Sequence, residues 1–200
     1  MRQSFASFAL LAIAGLGLAK DPLDKESKDV GLTLTLRAKK IAYKLDLKGK
    51  TLKEWEEMLT SKKRGLAPPK PPAVDMELEV KNTSKGDIDF WSSGDPVQVQ
   101  LDLKGPAART ITPPLAFTAD FRLPKAMTLK PGDTFRLPLT SLSSGFRGTG
   151  TWTYWLQPGE YTLTARYKTG VRPVPPGVKE VYGAGPVTLV SMPITVKVEE

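Results

Sequence analysis

LQPGEYTLTARY, Leu156 to Tyr167, is the stretch whose reading decides the fold. Gln157-Pro158-Gly159-Glu160 suits a type II turn, because Pro158 pre-sets φ at the second position and Gly159 supplies the positive φ of the third. Tyr161, Leu163, Ala165 and Tyr167 then alternate with Thr162, Thr164 and Arg166. A period of two sends one set to a core and the other to water. A tyrosine just after such a corner fits a tyrosine corner, in which the phenol hydroxyl bonds back to the backbone near the turn. An ordinary hairpin with a core tyrosine is the alternative. Under both readings Tyr161 serves the fold and not a site.

Outward from this corner the same alternation recurs. Val74, Met76, Leu78 and Val80 alternate with Asp75, Glu77, Glu79 and Lys81, which predicts a strand with one wet face. The run Asn82 to Asp87 is a turn, and its Asn82-Thr83-Ser84 is a glycosylation sequon that matters only in a host that glycosylates exported proteins. Ile88 to Trp91 is a short strand, and Val97, Val99, Leu101 and Leu103 form another that Gly105-Pro106 breaks. A weaker strand is expected over Leu115 to Leu123. Lys130-Pro131-Gly132-Asp133 repeats the form of the opening corner, and Phe135, Leu137 and Leu139 follow it, with Pro138 marking an edge or a bulge. A Ser/Gly loop, Ser141 to Thr151, and a Pro/Gly loop, Val171 to Pro186, flank the opening stretch. Val187 to Val198 closes the chain as a strand broken at Met192-Pro193. Near the start, Leu32, Leu34 and Leu36 alternate, then Ile41, Tyr43, Leu45 and Leu47 alternate one residue out of phase. Two readings account for the slip: one first strand that bends and switches sheets, or a hairpin through Ala38 to Lys40.

Thr51 to Arg64 is the one helical segment. Thr51 and Glu54 make a capping-box pair, Leu52, Trp55 and Met58/Leu59 make an apolar stripe, and Gly65 is a stop. Lys62, Lys63 and Arg64 suit the negative end of its dipole. The following LAPPKPP, Leu66 to Pro72, is an extended connector.

Arg2, the apolar run Phe5 to Leu18 and the small residues up to Ala19 read as a secretory signal peptide over residues 1–19. An uncleaved anchor is the other reading, but the run is shorter than the roughly 20 residues a bilayer span needs. Residues 20–29 are a flexible leader, and residues 30–200 are one domain with the helix and Pro-rich connector at 51–72 inserted. The mature chain is expected to be periplasmic, envelope-associated or extracellular, with no stable membrane span.

The chain has 0 Cys and 0 His. That excludes a thiol nucleophile, a Ser-His relay, imidazole acid–base work and the usual nitrogen or sulfur zinc site, so no enzyme of those classes is expected. A carboxylate-based enzyme would need two acids across a cleft. The net charge of +8 suits solubility, or attraction to anionic envelope polymers.

Short alternating strands with frequent turns and one small helix predict an all-β, immunoglobulin-like β-sandwich with one short helical insertion after the first strand. The serial motifs NTSKGDIDFWSSGDPVQVQLDLKG, LKPGDTFRLPL and LQPGEYTLTARY resemble the intracellular proteinase inhibitor type of Ig-like domain. A nearer resemblance is to uncharacterised bacterial exported Ig-like domain proteins, carried by the kinked first strand, SGDPVQVQLDLKGPAA, the YW-x-x-PGEY corner and Ser191-Met192-Pro193. It spans roughly residues 31–198, and it implies the fold rather than an activity. No reactive-site pattern carries over.

Candidate chemistry is sparse. Asp87, Asp89 and Asp95 bracket one strand, but calcium needs six or more oxygens. The basic region Lys39 to Lys53 holds only Tyr43 for base stacking, so no nucleic-acid partner is expected. No cofactor and no metal are expected. Phe146, Arg147, Trp152, Tyr154 and Trp155 form a candidate contact surface for a protein or an envelope polymer, joined by Val174 and Tyr182 of the Pro/Gly loop. The alternative puts Trp152, Tyr154 and Trp155 in the core. The leading expectation is therefore an exported, non-enzymatic binding or structural module of the bacterial cell envelope. A protease inhibitor acting through an exposed loop is the alternative.

Overall fold

The computed structural model describes residues 30–60, 68–113, 121–145 and 150–200. The expected signal peptide and leader, the helix end with Lys62 to Arg64, most of the weak strand at 115–123, and Phe146 with Arg147 lie outside the described residues.

Two sheets face each other. The first holds β1 (Leu32–Ala38), β3 (Ala73–Asn82) and β8 (Thr134–Ser141), all antiparallel in the order β1-β3-β8. Its inner face is the predicted alternation: Leu34 lies opposite Val80, Leu36 opposite Leu78, and Leu78 opposite Leu137. On its outer face Glu79 is clamped by Arg37 (2.5 Å) and Arg136 (3.0 Å). Pro138 lies in β8, an edge strand where its missing N–H leaves no ladder bond unmade.

The second sheet is built on β11 (Gly159–Arg172), the strand that follows the opening corner. One edge of β11 pairs with β13 (Ile194–Glu199) and then β12 (Gly185–Val190). The other edge pairs with β5 (Gln98–Lys104) and then β4 (Ile88–Ser93). The parallel strand β2 (Ala42–Lys44) extends the sheet beyond β13, and β7 (Lys125–Leu129) extends it beyond β4. The fold is thus the expected all-β, immunoglobulin-like sandwich, with one short helix among the described residues. Leu78, Phe90, Leu163, Tyr167 and Val196 fill the space between the sheets.

The phase slip near the start is a sheet switch. Lys39 N still donates to Asp75 O of the first sheet (3.0 Å), while Ile41 O already accepts from Lys197 N of the second (2.8 Å). The hairpin reading fails because β1 and β2 pair with different sheets. Ile41, expected inward, is 66% exposed because it sits at the crossing, and Tyr43 is the first residue to face the core. The break near the C-terminus also has a local cause. Ser191 N donates to Ala165 O (2.9 Å) and Ser191 Oγ accepts from Ala165 N (3.0 Å), so the hydroxyl replaces a ladder carbonyl where Pro193 follows.

The opening corner is a tyrosine corner. The Tyr161 hydroxyl lies 2.7 Å from the Gln157 carbonyl and also contacts the Pro106 carbonyl. The type II expectation needs correction. Gly159 sits at φ +147°, more extended than the third position of that turn, and already pairs with Val198 as the first residue of β11. A Cβ there would lie 2.9 Å from the Pro106 ring. Close approach of the Pro106 ring to the corner therefore requires the glycine. The second corner is the conventional turn, with Asp133 N donating to Lys130 O (2.9 Å).

A smaller layer closes the Gly159 end of β11. The strands β6 (Arg109–Ile111), β9 (Ser143–Ser144) and β10 (Thr151–Tyr154) form a third sheet, and α1 (Leu52–Thr60) packs on it. At 9 residues α1 is too short to persist alone, so its capping box and its buried stripe hold it. Thr51 N donates to Glu54 Oε2 (2.7 Å), and Glu54 N to Thr51 Oγ1 (3.3 Å). The stripe is Leu52, Trp55 and Leu59, with Met58 outside it.

Candidate functional site

The residues singled out as a contact surface do not converge. Trp152, Tyr154 and Trp155 lie at the Gly159 end of β11, whereas Val174 and Tyr182 lie just past its Arg172 end. Fourteen residues of strand separate the two groups by about 40 Å.

At the Gly159 end the tryptophan–tyrosine cluster is core. Tyr154 is 1% exposed and joins Trp55, Leu59 and Leu156 in a second hydrophobic core, against which Trp152 is half-buried. Trp155 is 3% exposed and faces the sandwich instead, stacked between Tyr43 (5.1 Å) and Tyr161 (6.1 Å). Tyr154 and Trp155 point to opposite cores because they are consecutive on an extended chain. The Tyr154 hydroxyl donates to Pro69 O (2.6 Å), and burial pushes this phenol well above its ordinary pKa, so it stays a donor. Neither ring offers a contact surface.

Beside these rings lies a cleft of about 690 Å³. It is lined by the Lys40–Lys48 segment and the Pro-rich Pro69–Ala73 segment, together with Trp55, Tyr154 and Trp155. Four lysines and one aspartate, Asp46, line it. The segment 40–48 is placed there by the sheet switch, and Trp55 Nε1 ties it to the helix by donating to Leu47 O (2.5 Å).

At the Arg172 end the geometry is different. Val181-Tyr182-Gly183-Ala184 is a tight turn closed from both sides: Val181 N donates to Ala184 O (2.8 Å) and Ala184 N to Val181 O (3.1 Å). Tyr182 and Gly183 have φ of +50° and +76°, the pattern of a type I′ turn. The first such position usually belongs to Asn, Asp or Gly, and a tyrosine there is strained. The Arg172 guanidinium donates to Gly183 O and pins the turn to the end of β11. Tyr182 is nevertheless 69% exposed, and its ring lies 6.0 Å from that of Phe121, itself 49% exposed. Leu123 and Val181 add exposed apolar surface in the same two segments, and Met127 adds more on the adjoining edge strand β7. Val174 lines a separate cleft of about 560 Å³ between the Pro173–Pro176 run and the Thr83–Ile88 turn.

Phe121 was not legible as a site residue. The sequence places it in a weak strand, but residues 121–124 are irregular. Tyr182 was legible only as a residue of the Pro/Gly loop, because Tyr-Gly is not one of the dipeptides that announce a two-residue turn.

The acidic residues do not form a metal centre. Asp89 accepts from Thr128 Oγ1 (2.5 Å), Asp95 faces Arg122 Nε (3.3 Å), and Asp87 is exposed. Among the described residues no three His, Cys, Asp or Glu side chains gather. The sequon asparagine is structural: Asn82 is 0% exposed, and its Nδ2 donates to Gly86 O and Leu129 O, both at 2.8 Å. In the folded chain that amide is not accessible for glycosylation.

No protein-family model matches the chain, and no curated protein matches it.

Proposed function

We propose that this chain is an exported, non-enzymatic binding module of the bacterial cell envelope, and that it recognises a protein partner or envelope polymer through the Tyr182 turn. One observation carries the reading. Tyr182 is a large aromatic in a strained backbone conformation within a turn closed by two backbone hydrogen bonds, and it is left mostly in solvent. Strain at an exposed position gains nothing for the fold, and such outliers collect at recognition sites. A rigid, amphipathic ring is also an efficient anchor, because little conformational freedom is lost on binding. Export is supported by the N-terminal pattern, and the absence of catalysis by the 0 Cys and 0 His of the sequence.

Capture from an envelope fraction with immobilised protein tests it. Wild type is expected to retain a partner that Tyr182→Ala and Phe121→Ala lose, while Trp152→Phe retains it. Equal capture by all four proteins, or by none, counts against the proposal. The inhibitor alternative uses the same loop, and what favours it is the pinning of Gly183 by Arg172. Serine, cysteine and metalloprotease panels at molar excess separate the two.

A further inference from the structure

Among the described residues, three non-glycine residues have left-handed backbone: Lys48 (φ +52°), Ala107 (φ +48°) and Tyr182 (φ +50°). Ala107 is explained by packing, since its methyl lies against the second core. Tyr182 belongs to the surface just described. Lys48 has no such account, and it lies at the opposite end of the molecule, on the rim of the 690 Å³ cleft.

The Lys48 turn is built, not loose. Leu47-Lys48-Gly49-Lys50 is closed by Lys50 N donating to Leu47 O (3.0 Å), the same carbonyl that takes the Trp55 indole N–H. Asp46 accepts from Lys48 N (2.9 Å) and from its ammonium, which draws the carboxylate below its ordinary pKa and keeps it charged. Lys40 is held over the Tyr43 ring, its ammonium 5.5 Å from the centroid. Lys44 lies on β2 between them, and Lys70 comes from a distant part of the chain. Among the described residues Lys40, Lys44 and Lys70 make no ion pair. Four lysines therefore line one concavity in which Asp46 is the single carboxylate-bearing lining residue, an excess of positive charge at that place.

The aromatic lining narrows the ligand. Its rings are almost wholly buried, so an uncharged sugar finds no exposed stacking platform. What the mouth of the cleft presents is positive charge. We propose that this cleft binds a compact oligoanion, a molecule of a few sugar or polyol units bearing at least two carboxylate or phosphate groups. The volume lies within the range of small-molecule sites. Ammonium groups act as point charges and serve either anion. The site does not depend on the Tyr182 surface, and its failure would leave that surface untouched.

The test is titration of the purified chain with a galacturonate trimer, a glycerol-phosphate trimer and maltotriose, read from the indole N–H resonances of Trp55 and Trp91. Binding by at least one oligoanion is expected, moving Trp55 and not Trp91, and weakening with salt. Which oligoanion binds identifies the anionic group. The triple variant Lys44→Gln, Lys48→Gln, Lys70→Gln should lose roughly ten- to hundredfold in affinity, because each exposed ionic contact contributes modestly. The triple variant Lys81→Gln, Lys85→Gln, Lys130→Gln carries the same charge change elsewhere and should lose less than about threefold. All six lysines are solvent-exposed, so both variants should keep the wild-type melting temperature. No binding by either oligoanion, equal binding by maltotriose, or equal weakening by the two triple variants overturns the proposal.

Discussion

Replacing Tyr161 by Phe isolates the corner on which the sandwich turns. The ring is fully buried beside Trp155, at a centroid distance of 6.1 Å, so Phe keeps the packing and only the hydroxyl is lost. That hydroxyl lies against two carbonyls, Pro106 O and Gln157 O, and one proton serves both. A net hydrogen bond contributes about 1 kcal/mol, and leaving a buried acceptor unmet adds to that. Pro106 and Gln157 are themselves exposed, so water can satisfy part of what is lost. The expected cost is therefore about 1–2 kcal/mol. For a domain of this size that lowers the melting temperature by roughly 3–6 °C. Denaturant unfolding should show a lower midpoint with the slope unchanged. Capture by the Tyr182 surface, about 40 Å away along β11, should be unaffected. A variant as stable as wild type would refute the corner's role, and a loss above about 4 kcal/mol would show that the ring had moved.

Three further substitutions probe the frame. Asn82→Ala should cost about 2–4 kcal/mol by chemical denaturation, because it removes the buried side-chain donor to Leu129 O and the acceptor of the Ser84 N–H, while Gly86 O keeps the Ser84 hydroxyl. Gly170→Ala should cost about 1–3 kcal/mol, since the new Cβ would sit 2.6 Å from the Trp91 ring. Glu79→Gln should destabilise near neutral pH and matter less in acid. Hydrogen bonds from Arg136, and then Arg37, hold this carboxyl below its ordinary pKa. Its contribution is therefore present above the unfolded carboxylate range and lost as pH falls through the folded value. Melting curves of both proteins across that range should converge on acidification, and a constant gap would contradict the assignment.

The frame was legible because its signals are local. Period-two alternation identified the inner faces of β1, β3, β5 and β11, and Thr51 with Glu54 identified the helix start. The one-residue slip after Ala38 identified the sheet switch but not that Ile41 would sit on the crossing, because register on entering a new sheet is set by the partner strand. The candidate surface was half legible. Tyr182 stood in a readable Pro/Gly loop, but Trp152, Tyr154 and Trp155 look alike in sequence whether they face a partner or the core. The packing of α1 against β10 decides this for Trp152 and Tyr154, and the sandwich core around Tyr43 and Tyr161 decides it for Trp155. Phe121 was beyond reach because its proximity to Tyr182 spans more than sixty positions of chain. The cleft was hidden for the same reason, since Lys70 meets Lys44 and Lys48 only in three dimensions.

The central claim is that the partner is held by the Tyr182 turn at the Arg172 end of β11 and not by the side chains of Trp152, Tyr154 and Trp155. A photo-crosslinking side chain placed at position 182, with the same group at exposed Thr162 as the counterpart, tests it most directly in intact cells. A discrete adduct from position 182 and none from position 162 is the predicted result. No adduct from position 182, or the same adducts from both positions, would contradict it.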